Sequence, residues 1–344
     1  MIISRTPLRI SFFGGGTDYP LWFHSHRGAV LATTIDKYIY VSCRYLPPFF
    51  DHRVRISYSK TELANSASEI EHPSVRECMR FLGVESNAEI HTDADLPART
   101  GLGSSSSFTV GLLHTLHAHK GQLATKMQLA QEAIHVEQEL IGENVGCQDQ
   151  ILAAFGGLNR IEFKGKTEHS VAPIPLPSER LAQFEQHLML FYTGISRMAS
   201  AIVAEQLSRL EEKEKELGEM YRLVEDGVKE LTANNSLSSF GKLLHESWML
   251  KRSLSSQITN PLVDEAYAVG HSMGAYGGKL LGAGGGGFLL LFADPACQPR
   301  IRERLSKLLY VPVALESTGS QIIFYQPGYQ NNSHSRTTPI QNSF

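Results

Sequence analysis

Leu96-Pro97-Ala98-Arg99-Thr100-Gly101-Leu102-Gly103-Ser104-Ser105-Ser106-Ser107 is the stretch that decides the fold of this chain. Glycines at 101 and 103 let the backbone turn its N–H groups toward one point. Phe108, Val110, Leu112, Leu113 and Leu116 follow and predict a helix that opens at the serines. The positive end of that helix joins the loop amides, which makes an anion site suited to phosphates. Serine hydroxyls can bind phosphate oxygens or a magnesium ion. On its own the segment is equally a serine-rich cap on an ordinary helix.

Two further glycine loops flank it. The C-terminal one, Lys279-Leu280-Leu281-Gly282-Ala283-Gly284-Gly285-Gly286-Gly287-Phe288, contains a formal GxGxxG. A dinucleotide fold needs a strand before such a loop and a helix after it. Here a β-rich run, residues 288–292, comes after, so the dinucleotide reading is rejected. Four successive glycines are entropically costly, and close approach of backbone to a ligand or another loop would justify them. The first loop, Gly14-Gly15-Gly16-Thr17-Asp18, is preceded by Arg9. It reads either as a tight hairpin or as space cleared for a ligand whose hydroxyls Asp18 accepts. No GxxxxGK[ST] segment occurs, which excludes the P-loop class.

Two carboxylates stand out between these loops. Residues 125–141 read as a helix with Ala130, Ala133, Ile134, Leu140 and Ile141 on one face, and Glu137 falls inside that apolar stripe. A carboxylate there is costly unless it is paired or binds a metal. Asp149 follows in Gly146-Cys147-Gln148-Asp149-Gln150, close enough in sequence to share an acidic site with Glu137.

The rest of the chain frames these motifs. At 344 residues, two domains are expected. Strand-like runs and helices occur in both halves without regular βαβ alternation, which predicts an α+β architecture. Pro173, Pro175 and Pro177 place the division near 175, giving an N-terminal domain over 1–175 and a C-terminal domain over 176–327. Residues 328–344 are polar and read as a disordered tail. The charged stretch 211–219 reads as a solvated helix face. A net charge of −3 gives no reason to expect nucleic acid or an anionic membrane as partner. Cys43, Cys78, Cys147 and Cys297 lack CxxC spacing and read as small buried hydrophobes in a reducing compartment. The N-terminal apolar run is too short for a signal peptide or a membrane span, so a cytoplasmic location is expected.

Three glycine loops in this order resemble the GHMP kinase superfamily, which includes galactokinase, homoserine kinase and mevalonate kinase. The middle segment is close to that family's PxxxGLGSS pattern. The resemblance implies a two-domain α+β fold: an N-terminal domain like domain 2 of ribosomal protein S5 and a ferredoxin-like α/β C-terminal domain. It implies ATP and Mg2+ as cofactors. Gly101, Leu102, Gly103, Ser104, Ser105, Ser106 and Ser107 would wrap the ATP phosphates. Ser105 and Glu137 would hold the metal, although one residue appears inserted between Glu137 and Asp149 relative to mevalonate kinase. Asp149 corresponds to the catalytic aspartate, with Arg9 beside it. Gly14, Gly15, Gly16, Thr17 and Asp18 correspond to the sugar-binding segment, with Gly284 and Gly285 closing the site.

Arg5-Thr6-Pro7-Leu8-Arg9 and Phe13-Gly14-Gly15-Gly16-Thr17-Asp18, with Gln148-Asp149-Gln150 and Phe155-Gly156-Gly157-Leu158-Asn159, resemble the D-glycero-D-manno-heptose 7-phosphate kinases. That implies phosphorylation of the anomeric hydroxyl to a 1,7-bisphosphate, on the way to GDP-heptose and surface polysaccharide. The L-fucose kinases share part of the signature. The galactokinase GEH becomes Gly14-Gly15-Gly16, which removes an acid and adds space for a longer, phosphorylated sugar. Arg197, with Lys37 and Arg44 behind it, is the expected receptor for the sugar phosphate. An L-fucose or hexose 1-kinase and a non-catalytic sugar and ATP sensor remain alternatives. A homodimer is left open.

Overall fold

The computed structural model describes residues 1–165, 168–195, 199–209 and 211–327. Seven strands build the first sheet from the N-terminal half. They are β1 (Ile2–Phe13), β2 (Gly28–Tyr45), β3 (Val54–Ser57), β4 (Thr61–Ala64), β5 (Ala88–Ala94), β6 (Asn159–Lys164) and β7 (Glu168–Pro173). The apolar runs 2–4 and 8–13 belong to one strand, and the register between β1 and β2 shifts between Pro7 and Leu8. Proline has no N–H to give the ladder, so the irregularity falls there. The 18-residue β2 serves two neighbours along its length: its first half pairs with β6 and its second half with β5. Among the described residues only β3 and β5 pair in parallel.

The second sheet is antiparallel, ordered β11 (Leu309–Val311), β8 (Leu188–Tyr192), β10 (Phe288–Ala293) and β9 (Ala275–Leu280). The chain then returns. β12 (Leu315–Glu316) pairs with β2, and β13 (Gln321–Tyr325) pairs with β1. The first sheet is therefore made from both ends of the chain, and residues 315–325 join it although they follow the second sheet in sequence.

The helix Ser104–His119 is buried nearly all round, with Val110, Leu112, Leu113 and Leu116 fully enclosed. Such a helix belongs in the middle of a layer rather than on a surface. The helix Glu214–Thr232 shows the opposite pattern. Leu217, Met220, Leu223, Val224 and Leu231 are buried at helical spacing and the charged residues face outward. The expected solvated face is present.

An aromatic cluster joins the two halves. Phe12 of β1 packs edge-on against Phe184 and Phe240, at ring-centroid distances of 5.3 and 5.6 Å, and Phe240 meets Phe292 of β10 at 5.2 Å. Each such pair adds to the burial of large apolar area. The core is continuous across both sheets, and that fixes the cleft between them.

Cys43, Cys78 and Cys147 are buried and unbridged, and Cys297 is partly buried and free. Among the described residues no helix is long and apolar enough to cross a membrane. The segment 328–344 lies outside the described residues.

Candidate active site

The cleft between the halves has a volume of about 1150 Å³ and is walled by all three glycine loops. The middle and last loops dock backbone to backbone. Gly101 has φ +82°, and a Cβ there would lie 2.3 Å from the Leu281 carbonyl oxygen. Gly282 has φ +73°, and its Cβ would lie 2.4 Å from Gly101 Cα. Only glycine allows this approach. The close contact expected of the costly glycine run is thus a contact between loops.

Arg9, on β1, anchors the centre. Its Nε donates to Asp149 Oδ1 at 2.6 Å and its Nη2 to Asp149 Oδ2 at 2.7 Å. Its Nη1 donates to the Gly101 carbonyl at 2.6 Å. The fork fixes the carboxylate plane and ties it to the glycine loop. Asp149 itself sits in the first turn of the helix Gln148–Phe155, where a negative charge is favoured. Beside it, Asp18 is buried and accepts Gly16 N–H at 2.9 Å and Gln148 Nε2–H at 2.9 Å. Burial pushes its carboxyl above the usual carboxylate range, and the nearby charge of Asp149 adds to the rise.

Several expected site residues line the cleft together: Arg9, Gly15, Gly16, Asp18, Gly101, Gly103, Ser104, Ser105, Ser106, Asp149 and Gly284. The N–H groups of Ser104, Ser105 and Ser106 precede the first i−4 bond of the Ser104–His119 helix, Ser107 N–H to the Gly103 carbonyl at 2.9 Å. Others are corrected to supporting positions. Thr17 Oγ1 donates to the Gly14 and Ala29 carbonyls, so Gly14 and Thr17 shape the loop from behind. Leu102 is wholly buried, and Ser107 is spent on the Pro7 carbonyl at 2.8 Å. Gly285 gives its N–H to the Ile258 carbonyl and accepts Asn260 Nδ2–H on its own carbonyl, so its backbone holds the loop in place.

Glu137 is fully buried, and its partner is Ser106 rather than the expected Ser105. Ser106 Oγ donates to Oε2 at 2.9 Å and Gln150 Nε2 at 2.5 Å, while Oε1 has no partner. Burial raises its carboxyl to about 7, against the opposing hydrogen bonds. The expected helix does not run regularly to residue 141. It becomes a π segment, Val136–Leu140, closed by Ile141 N–H on the Val136 carbonyl at 2.9 Å. A π turn is where a helix absorbs one extra residue. The same turn leaves Leu140 40% exposed, off the stripe that the spacing predicted.

The expected phosphate receptors fare differently. Lys37 pairs with Asp36 at 2.8 Å and Arg44 with Glu89 at 2.5 Å, both on β2 and neither on the cleft wall. These ion pairs satisfy the two cations where they stand. Arg197 lies outside the described residues.

Two cleft lysines went unread in the sequence. Lys251, in the last turn of the helix Ser238–Arg252, donates to the Gly282 carbonyl, and Lys279, on β9, donates to the Phe12 carbonyl at 2.8 Å. The signal was available. Lys251 continues the buried series Phe240, Leu244, Trp248, and Lys279 interrupts a buried strand, just as Glu137 interrupts its stripe. A second lining group holds Tyr58, His72 and Phe108, with His72 4.9 Å from Tyr58 and 5.2 Å from Phe108 between ring centroids.

Comparison with known proteins agrees with this geometry. Residues 71–157 match the GHMP kinases N terminal domain and residues 228–311 the GHMP kinases C terminal domain. The chain is 30% identical over 319 residues to D-glycero-alpha-D-manno-heptose 7-phosphate kinase of Campylobacter jejuni, covering 89% of this chain and 93% of that one. It is 28% identical over 281 residues to L-fucokinase/L-fucose-1-P guanylyltransferase of Bacteroides fragilis, covering 78% of this chain and 29% of that longer protein. In fold it resembles a solved D-glycero-D-manno-heptose 1-phosphate kinase from Bacteroides thetaiotaomicron, with a TM-score of 0.74 and 23% identity over 93% of this chain and 98% of that one. The chain belongs to the GHMP kinase family and is a sugar kinase.

Proposed function

We propose that the protein transfers the γ-phosphoryl group of ATP to the anomeric hydroxyl of D-glycero-D-manno-heptose 7-phosphate. The product is the 1,7-bisphosphate, a step toward GDP-heptose and surface polysaccharide. The observation that carries the reading is Asp149, gripped on both oxygens by Arg9 and bonded through it to the phosphate-type loop. An acceptor hydroxyl at Asp149 stands beside the place where that loop would hold the nucleotide phosphates.

Phosphoryl transfer asks the protein mainly for positioning and charge stabilisation. Asp149 orients the acceptor hydroxyl and accepts its proton. Arg9 holds the carboxylate in place. Asp18 accepts sugar hydroxyls, and Gln148 Oε1, buried without a partner, offers a further acceptor. Loop amides over residues 101–106 and the helix behind them bind the transferring oxygens. The aromatic group Tyr58, His72 and Phe108 suits a nucleotide base.

Residues of the site also suit Mg2+. The Ser105 hydroxyl is exposed on the cleft, and Glu137, wholly buried and set back from the cleft wall, has an Oε1 with no hydrogen bond among the described residues behind Ser106. These are hard oxygen donors of the kind magnesium takes while it keeps several waters. Ser105 and Glu137 would hold the ion, which supplies neutralisation of charge on the β- and γ-phosphates.

The test is product identity. Incubation with ATP, Mg2+ and the heptose 7-phosphate, followed by ³¹P NMR, is expected to show a new anomeric phosphate split by one proton, with the 7-phosphate unchanged. A new phosphate at any other carbon refutes the regiochemistry.

A further inference from the structure

Lys251 and Lys279 have no part in the transfer step described above, yet both face the cleft. They are 8% and 2% exposed. An ammonium carries three donors. Each of these makes one bond, to a neutral carbonyl: Gly282 for Lys251 and Phe12 for Lys279. Neither takes part in an ion pair among the described residues. Asp18 acts on both electrostatically, but its oxygens already accept Gly16 N–H and Gln148 Nε2–H. Arg9 adds a third positive charge, and that one is matched by Asp149. Burial pushes both groups toward the neutral amine, Arg9 adds to this for both and Lys251 for Lys279, and an anion between them would reverse the push. The pair lacks an anion.

A fourth donor belongs to the same cleft. Ser11 lies on the cleft wall, 7% exposed, with its Oγ buried and unpartnered. It is adjacent in sequence to Phe12, whose carbonyl Lys279 holds, and a Cβ at Gly15 would sit 3.7 Å from it.

We infer that Lys251 and Lys279, with the Ser11 hydroxyl, form an anion subsite that receives the phosphate group already carried by the acceptor sugar. The inference rests on the sugar-phosphate reading above. It replaces Lys37 and Arg44 as receptors, and it gives the cleft a means of telling a phosphorylated sugar from a free one.

Two measurements test it. First, inorganic phosphate is titrated calorimetrically into the enzyme saturated with a non-hydrolysable ATP analogue and Mg2+. The wild type is expected to bind it, and the Lys251→Met/Lys279→Met protein to bind it at least about 30-fold more weakly. Binding that the double variant retains overturns the subsite. Loss of wild-type binding once the analogue is present also overturns it, because the lysines then serve the nucleotide. Second, kcat/KM is compared on heptose 7-phosphate and on D-mannose. Lys251→Met is expected to lose about 100-fold more on the phosphorylated acceptor, and equal losses overturn the proposal. Should the lysine variants fail to fold, Ser11→Ala keeps both cations. It is expected to raise KM for the sugar phosphate about 10-fold, well beyond any rise for ATP, and an unchanged KM overturns the proposal. Absence of turnover on every sugar phosphate would refute the acceptor reading, while the phosphate titration would still decide the subsite.

Discussion

Asp149→Asn isolates the pair at the centre of the cleft. The carboxylate accepts two charge-assisted hydrogen bonds from a guanidinium that is 6% exposed, at 2.6 and 2.7 Å. An amide can accept one of them through Oδ1, but its NH2 would face the other Arg9 donor. One bond is lost, at about 1.5–3 kcal/mol for a bond to a charged group. The remaining guanidinium keeps only the neutral Gly101 carbonyl and half of its former partner. Leaving a buried charge uncompensated costs about 3–5 kcal/mol. The Asp149 side chain is 23% exposed, so solvent relieves part of this, and a loss of about 2–3 kcal/mol in unfolding free energy is expected. Turnover should fall further, by about 10²- to 10⁴-fold, because the hydroxyl loses its proton acceptor. Steady-state ATP consumption and denaturant unfolding read the two effects separately. Adding Arg9→Met to Asp149→Asn is expected to cost about 2 kcal/mol less than the sum of the single changes, since the partners fail together. A turnover within threefold of wild type, or additive stability losses, would refute the reasoning.

Other perturbations probe separate parts. Gly101→Ala forces an alanine to φ +82° and sets its Cβ 2.3 Å from the Leu281 carbonyl oxygen. A stability loss of at least about 2 kcal/mol is expected, with a raised KM for ATP, read by unfolding and initial rates. Lys251 has its ammonium pushed down to about 8, chiefly by burial and then by Arg9. Its positive charge is present below that pH and lost above it. Lys279 beside it is pushed down as well, so KM for the phosphorylated acceptor is expected to rise as the pH passes about 8, with Lys251→Arg reducing the rise. Ser105→Ala and Glu137→Gln are each expected to raise the Mg2+ concentration for half-maximal turnover by about 10-fold or more, measured by magnesium titration at saturating nucleotide.

Much of this was legible in the sequence for a physical reason. Glycine runs and an Arg–Asp pairing impose backbone and charge constraints that survive in one dimension, so Arg9, Asp18, Gly101, Gly103 and Asp149 all reach the cleft. The β-rich run at 288–292 was readable because it is uninterrupted, and it forms a strand over Phe288–Ala293. What failed depended on register or distant partners. The apolar stripe of 125–141 assumed a regular helix, and the π turn at Val136–Leu140 moved Leu140 outward while it kept Glu137 inside. Nothing local marks Ser106 rather than Ser105 as the neighbour of Glu137, because the choice depends on how two helices pack. Lys37 and Arg44 looked free in sequence, since their acids Asp36 and Glu89 become partners through side-chain geometry and strand pairing. The merger of both chain ends into one sheet is likewise a long-range pairing without a local signal.

Under the proposed function the cleft selects a phosphorylated heptose as acceptor. The most direct measurement is kcat/KM for ATP consumption with Mg2+ across D-glycero-D-manno-heptose 7-phosphate, D-mannose, L-fucose, D-galactose and homoserine. The heptose phosphate is expected to exceed every unphosphorylated acceptor by at least about 100-fold. Comparable or faster turnover on a free sugar would contradict it.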